Sequence, residues 1–343
     1  MIPETKTPVH VVDTLTPVTE AERQRLLTAP RTTEAHRAMM AEVPALSQVQ
    51  TGGTASVQAL PEALSVVAWN LERCLFPEAS ATHLAELAPD VVLLSEMDHG
   101  MARTAQRHTT AAMGAATDMV HAYGVEFHEL DLGGPTERHF CTDDFNLLGW
   151  HGNGILSRAP FERLTLIRLD DHGHWFSAAA GADPEQPRLG GRMAVAAVVP
   201  TEAGPLCVVS THLESNADGA HRAEQMAVLL DGIDAFAPHM PVLIGGDLNT
   251  GNHCPPDFDW RGEALFPMAE ARGYSWAFTA DGMTTRPSLI TPHPSRVMKL
   301  DWFAGRGLEP LDKRVISSIS ADGTPLSDHD AVWCRARIYP DGR

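Results

Sequence analysis

From residue 64 onward the chain alternates short apolar runs with helical or polar segments. The runs "LSVVAWNL" (64–71), "VVLLSEM" (91–97), "NGILSR" (153–158), "RMAVAAVVP" (192–200), "PLCVVSTHL" (205–213), "PVLIGGDLN" (241–249), "VMKLDWFAG" (297–305) and "HDAVWCRARI" (329–338) are β-branched-rich and end at Gly, Pro, Asn or Asp. Those features predict strands. Several runs are apolar at every position, so these strands are expected to lie buried between layers. Helices are predicted at 78–88, 104–122, 219–237 and 263–272. Long polar loops are predicted at 132–151, 170–191, 250–262 and 282–296.

Residues 1–60 read differently. Thr19 and Glu22 stand at capping-box spacing ahead of a short helix, and "TTEAHRAMMAEV" gives a second helix beyond Pro30. "SQVQTGGTASVQALPEA" (47–63) reads as a linker or loop. This stretch is too short to bury a core of its own. It is therefore taken as an N-terminal helical extension, with residues 61–343 as the main domain.

Composition narrows the class. A 43% hydrophobic and 20% charged chain is that of a globular protein. No apolar run is long enough to span a membrane, and the opening "MIPETKTPVHVVDTL" has no secretory leader pattern. Five cysteines without CxxC spacing point to a reducing cytoplasm and away from a disulfide framework. The net charge of −18 arises almost wholly after residue 60, since residues 1–60 hold six acids and five Lys/Arg. No Lys/Arg-rich run is present to displace counterions from a polyanion, which disfavours a nucleic-acid substrate.

The strand ends carry the candidate chemistry. Asn70 and Glu72 end the first run, Glu96 and Asp98 the second, His212 and Glu214 the fifth, and Asp247 and Asn249 the sixth. Asp301 interrupts "MKLDWF", and Asp328–His329 opens the last run. Such residues are poor strand formers and costly to bury unpaired. Singly, each has a plain structural explanation as a turn residue, a solvated strand end or a hydrogen-bonded histidine. Gathered at one sheet edge, they could satisfy one another, a hard cation and an anion.

In this order, "WNLE", "LLSEMD", "NGILSR", "STHLES", "GGDLNT", "LDWF" and "SDHDAVW" resemble the endonuclease/exonuclease/phosphatase superfamily of DNase-I-like metal-dependent phosphoesterases. The resemblance spans roughly 64–338. It implies an α/β fold, a four-layered sandwich of two face-to-face β-sheets flanked by helices. It also implies phosphate-ester hydrolysis with Mg²⁺ or Mn²⁺. By the same resemblance Glu96 is the main metal carboxylate with Asn70 beside it, and Asp328 is a further metal or supporting carboxylate. Asp247 orients and deprotonates the attacking water, and Asn249 holds that water or a phosphate oxygen. His329 donates to phosphoryl oxygens, Asp301 orients and charges it, and His212 is the second histidine. The partner of His212 is left open among Glu126, Glu129 and Asp131, and Glu72 is left to the site or the scaffold. Ala331 stands where many members have proline.

Substrate choice is expected to come from loops bearing Trp150, His151 and Trp260, with Arg192 as a phosphate grip. The expected substrate is a small or lipid-derived phosphoester. A metal-dependent nuclease and a catalytically silent binding protein on the same fold are the alternatives.

Overall fold

The structure is a computed structural model that describes residues 9–183, 186–255, 258–294 and 297–339. Residues 1–8, which open the stretch without a leader pattern, and 340–343, which close the span expected to form the catalytic domain, lie outside the described residues. In chain order the elements are β1 (His10–Val12), α1 (Glu20–Thr28), α2 (Thr33–Glu42), β2 (Gln48–Gly52), β3 (Ala63–Arg73), α3 (Pro77–Leu84) and β4 (Val91–His99). There follow α4 (Thr109–Ala116), β5 (Val120–Glu129), α5 (Pro135–Arg138), β6 (Trp150–Ser157), β7 (Arg163–Arg168), β8 (Arg188–Gly190), β9 (Met193–Thr201) and β10 (Gly204–His212). The chain continues through α6 (Gly219–Phe236), β11 (Val242–Asp247), α7 (Leu265–Glu270), β12 (Asp301–Arg306), β13 (Leu308–Ile316) and β14 (Ala331–Ile338).

Two sheets form. The larger has the order β1-β2-β5-β6-β4-β3-β14-β13 with β8 on β5, and the smaller is β12-β11-β10-β9-β7. They pack face to face through an apolar layer that includes Val66, Ala68 and Leu93 from one sheet and Val195, Leu243 and Phe303 from the other. A second apolar layer backs the large sheet, where Trp69, Leu94 and Leu156 meet Leu26, Met39 and Leu84. A third lies between the small sheet and α6, with Val209 and Ile244 against Met226 and Leu230. This is the expected α/β sandwich, with helices outside two sheets. Strands covered on both faces account for the unbroken apolar runs.

Three local readings are corrected. The 47–63 segment is not all linker: β2 pairs antiparallel with β5, and β1 pairs parallel with β2. The extension thus adds two strands to the large sheet as well as α1 and α2. The helix predicted over 104–122 is shorter, because Asp118 adopts φ 53° and β5 begins at Val120. The Ala-rich helix α4 running up to it concealed that break. Strands β7 and β13 were missed; β13 is an edge strand whose exposed polar residues hide the pattern.

Candidate active site at the facing sheet ends

Register alone brings three polar residues into one rank. Parallel pairing sets His212 of β10 opposite Asp247 of β11, and antiparallel pairing sets Asp247 opposite Asp301 of β12. Laterally paired residues share a face. The glycines ahead of Asp247 are required by close approach. A Cβ on Gly245 would stand 2.7 Å from the Phe303 ring and 2.8 Å from Leu93 across the sheet interface. Gly246 has φ +153°, and a Cβ there would lie 1.9 Å from the Thr211 carbonyl. Only glycine fits this position.

The large sheet supplies the opposing wall. Asn70 on β3 donates from Nδ2 to Asp247 Oδ2 at 3.0 Å and to Glu96 Oε1 at 3.1 Å. One carboxamide therefore joins the two sheets at the site. Glu96 does not end its strand but sits within β4 at φ 57°, where the ladder to β6 shifts between Leu94 and Met97. Such a bulge re-aims a side chain, and its left-handed backbone costs free energy that the surrounding ladder must hold. Arg73 ion-pairs with the second Glu96 oxygen and, through Nε, with Glu137 at 2.8 Å. Behind them, fully buried Arg103 grips Asp98 and Glu129 at 2.8 Å each, and Glu137 at 3.0 Å. Sequence reading missed Arg73, Arg103 and Glu137; nothing in their spacing links them, although Arg73 follows the "WNLE" motif directly.

The two histidines converge on Asp247. His329, just before β14, has Nδ1 2.8 Å from Asp301 Oδ2 and Nε2 3.6 Å from Asp247 Oδ2. His212 Nε2 lies 3.5 Å from the same Asp247 oxygen. Burial acts against an imidazolium at His329, but Asp301, then Asp328 and Asp247, outweigh it and hold its pKa up at about 10. Burial likewise opposes ionisation of Asp247; His329 and then His212 overcome this and hold its carboxyl below the usual range. Burial pushes the Asp301 carboxyl up in spite of His329.

The partner of His212 is now visible. Glu126 Oε2 on β5 lies 3.5 Å from His212 Nδ1, whereas Glu129 belongs to the Arg103 cluster and Asp131 pairs with Arg138 at 2.9 Å. Burial opposes the Glu126 charge, but Arg192 and then His212 bring its pKa down to about 2. Arg192 is buried rather than exposed on a loop. Its Nη1 lies 2.6 Å from Glu126 and 2.8 Å from His212 Nδ1, and its Nε lies 3.4 Å from Glu214. It is thus committed to carboxylates beside His212.

Three expected substrate contacts are placed elsewhere. Trp150 is not on a loop: it opens β6, is fully buried and packs on His128 with ring centroids 4.7 Å apart. His151 is also in β6, 2% exposed, with Nδ1 3.0 Å from Asp98; burial, the largest influence, brings its pKa down to about 4. Trp260 follows Asn249 in sequence but packs on Trp302 and Phe266 at 4.8 and 5.5 Å. Aromatic residues next to a motif here serve packing, because the strands and α7 need covering. Asn249 is at φ 50° and caps the Asp247 strand end. Its N–H donates to Asp247 Oδ1 at 2.8 Å, its Nδ2 to the Leu213 carbonyl at 3.0 Å, and its Oδ1 accepts from Asn252 at 2.7 Å. The amide nitrogen carries a second N–H for a ligand.

The donor set suits a hard cation. Glu96 and Asp247 offer carboxylate oxygens to either side of Asn70 Nδ2, Asn70 Oδ1 accepts from the Glu72 N–H at 3.0 Å, and Asp328 Oδ1 lies 3.8 Å from His329 Nε2. Ligand atoms of Asp247, Asp301 and His329 all lie within 4.8 Å of one another. Glu72, left open by the sequence, accepts from Ser288 Oγ at 2.7 Å and from the Asp328 N–H at 3.1 Å. Burial and then the Asp328 charge push the Glu72 carboxyl up to about 7. Glu72 and Asp328 thus stand as neighbouring buried carboxylates. Oxygen and imidazole donors of this kind fit Mg²⁺ or Mn²⁺.

Known proteins resemble this chain in sequence and in fold. The chain is 29% identical over 154 residues to the uncharacterized protein YbhP of Escherichia coli, a match covering 45% of this chain and 50% of that protein. It thus spans about half the length of the curated relatives it matches. An endonuclease/exonuclease/phosphatase structure from Beutenbergia cavernae superposes with a TM-score of 0.58 at 20% identity, covering 81% of this chain and 72% of that one. The human Nocturnin catalytic domain with bound sulfate gives 0.54 at 15% identity, covering 85% and 97%. A D. rerio TDP2 complexed with single strand DNA product gives 0.53 at 19% identity, covering 80% and 99%. Those three show the fold. Residues 67–329 match the Endonuclease/Exonuclease/phosphatase family as a whole, and the chain belongs to that family of metal-dependent phosphoesterases.

Proposed function

We propose that this protein is a Mg²⁺- or Mn²⁺-dependent phosphodiesterase or phosphatase acting on a small or lipid-derived phosphoester. The supporting observation is the convergence of Asn70 Nδ2, His212 Nε2 and His329 Nε2 on one Asp247 oxygen, at 3.0, 3.5 and 3.6 Å. The catalytic unit is taken as residues 61–343, with β1, β2, α1 and α2 of the N-terminal extension built onto its large sheet. The acidic net charge of −18 weighs against a polyanionic substrate. The five free cysteines support a reducing, cytoplasmic setting.

In this reading Asp247, ionised at neutral pH, orients a water and takes its proton as the water attacks phosphorus in line. Charge developing on the phosphoryl oxygens meets the His329 imidazolium, which Asp301 orients and keeps protonated. His212, held by Glu126 and Arg192, offers a second donor on the other side of Asp247. The backbone turn at Asn249 fixes the Asp247 carboxylate, and its remaining amide N–H is available to the water or a phosphate oxygen. Glu96, Asn70 and Asp328 would hold the metal, which supplies charge neutralisation and a more acidic bound water. No serine nucleophile is needed: Ser210 Oγ is bonded to the Leu94 carbonyl and Ser327 Oγ to the Asn70 carbonyl.

The test is hydrolysis of paired aryl phosphate mono- and diesters with Mg²⁺, with Mn²⁺ and with EDTA, alongside single-stranded DNA and RNA at rising salt. Metal-dependent cleavage of an aryl ester, with nucleic acid untouched, is expected. Preferential, salt-sensitive cleavage of nucleic acid would replace the substrate assignment, and metal-independent cleavage would overturn the mechanism.

A further inference from the structure

A second cluster of metal-ligating side chains lies outside this site. His172 and His174, from the loop between β7 and β8, meet His221 in the first turn of α6. One ring nitrogen from each lies within 4.8 Å of the other two. The rings surround a common point, with centroids 5.8 Å apart for His172 and His174, 5.1 Å for His172 and His221, and 4.7 Å for His174 and His221. Nε2 of His174 is shielded from solvent and has no hydrogen-bond partner, an expensive state for a polar atom. The Asp170 carboxylate stands 3.5 Å from His221 Nε2 and also accepts from Gln225.

The cluster is built, not incidental. Gly173 separates the two loop histidines at φ +75°, the left-handed turn that glycine adopts without penalty. A Cβ there would press on the His36 ring at 3.0 Å. Helix α2 holds the loop from outside: Thr33 Oγ1 donates to the His172 carbonyl at 3.1 Å, His36 Nδ1 lies 3.1 Å from the Asp171 carbonyl, and Arg37 pairs with Asp171 at 2.9 Å. On the other side Asp218 caps α6 by accepting from the His221 N–H at 3.0 Å. The loop is thus anchored on α2, and the first turn of α6 on Asp218. This gives the N-terminal extension a task that the phosphoester chemistry did not assign to it.

We propose that His172, His174 and His221, with Asp170 as the carboxylate that orients His221, bind a borderline transition-metal ion of the Zn²⁺ type. Imidazole-rich sites select Zn²⁺, Ni²⁺ or Cu²⁺, whereas Mg²⁺ demands oxygen donors. A tetrahedral Zn²⁺ with bonds of about 2.0–2.1 Å needs nitrogens about 3.4 Å apart. The side chains therefore draw in slightly on binding. The site touches the active site through its neighbours: Trp175 Nε1 donates to Glu214 at 3.0 Å, and Glu214 receives Arg192, which contacts His212. Closing the cluster would fix the loop that carries Trp175.

The experiment uses the full chain, stripped with chelator and returned to buffer containing excess Mg²⁺. ZnCl₂ is titrated calorimetrically, and CoCl₂ is added while visible d–d absorption is recorded. The wild type is expected to bind one Zn²⁺ that Mg²⁺ does not displace, and to show tetrahedral Co²⁺ bands. His172→Ala with His174→Ala should weaken Zn²⁺ on the order of 100-fold or more, since loss of ligands exceeds the usual 10–100-fold effect of losing their supporting partners. Asp247→Asn should leave this binding intact. Should the double variant lose its fold by circular dichroism, His172→Ala alone decides, because that side chain is exposed. Wild-type Zn²⁺ affinity in the folded His variants, or loss of binding in Asp247→Asn with retention in the His variants, would overturn the proposal.

Discussion

His329 Nδ1 lies 2.8 Å from Asp301 Oδ2, and the other ring nitrogen of His329 faces Asp247 at 3.6 Å. One carboxylate thus fixes the ring so that its far N–H points at another. The pair explains why a lone acid interrupts "MKLDWF": Asp301 opens β12 directly opposite Asp247.

The first prediction concerns that pair. With a folded pKa of about 10 against an unfolded value of about 6.5, the His329 imidazolium contributes stability that is complete below pH about 6.5 and is lost as pH rises through about 10. Asp301→Asn removes the largest source of that shift. The His329 resonance, followed by NMR in metal-free protein, should titrate lower by about 1–3 units, and turnover should fall by about 10²–10⁴. An unchanged titration would detach Asp301 from this role.

Glu72 gives linkage of the same sign in a lower pH window. Its folded pKa, near 7 and above the usual carboxylate value of about 4.3, means that stability is lost as pH rises from about 4.5 through 7, when the buried group must ionise beside Asp328. In metal-free protein, Glu72→Gln should raise stability at pH 8 by about 1–3 kcal/mol and change it little at pH 4. Urea unfolding at both values measures this.

Gly246→Ala should destabilise the fold by roughly 3 kcal/mol or more, because its Cβ meets the Thr211 carbonyl at 1.9 Å and its φ is +153°. Thermal unfolding at fixed metal concentration reads the loss.

Arg103→Met should cost about 3–5 kcal/mol, since Asp98, Glu129 and Glu137 would keep buried charge without their shared cation. A loss of under about 1 kcal/mol in chemical denaturation would mean that Arg73, paired with Glu137, and Arg188, whose Nε lies 3.5 Å from Glu129, suffice.

How much of this was legible in the sequence depended on locality. Asn70, Glu96, His212, Asp247, Asp301 and His329 all stand within or beside apolar runs that form buried strands, so polar residues in such runs, read with the family resemblance, singled them out. Trp150, His151 and Trp260 misled because motif proximity says nothing of which face a side chain takes. The shift at Leu94/Met97 that re-aims Glu96 is a tertiary property. So are the Glu126–His212 contact and the Arg73–Arg103 charge layer, which join residues from separate elements. Strand β5 was concealed by an Ala-rich helix running into it, and β2 by the glycines that end it.

The most direct measurement is steady-state hydrolysis of the preferred aryl phosphate ester by Asp247→Asn, in saturating Mg²⁺, with folding verified by circular dichroism. Asn keeps the shape of the strand end but cannot take a proton. The account predicts a loss of turnover of about 10²–10⁴ or more with the fold intact. Near-wild-type turnover would contradict it and remove Asp247 from the centre of the mechanism.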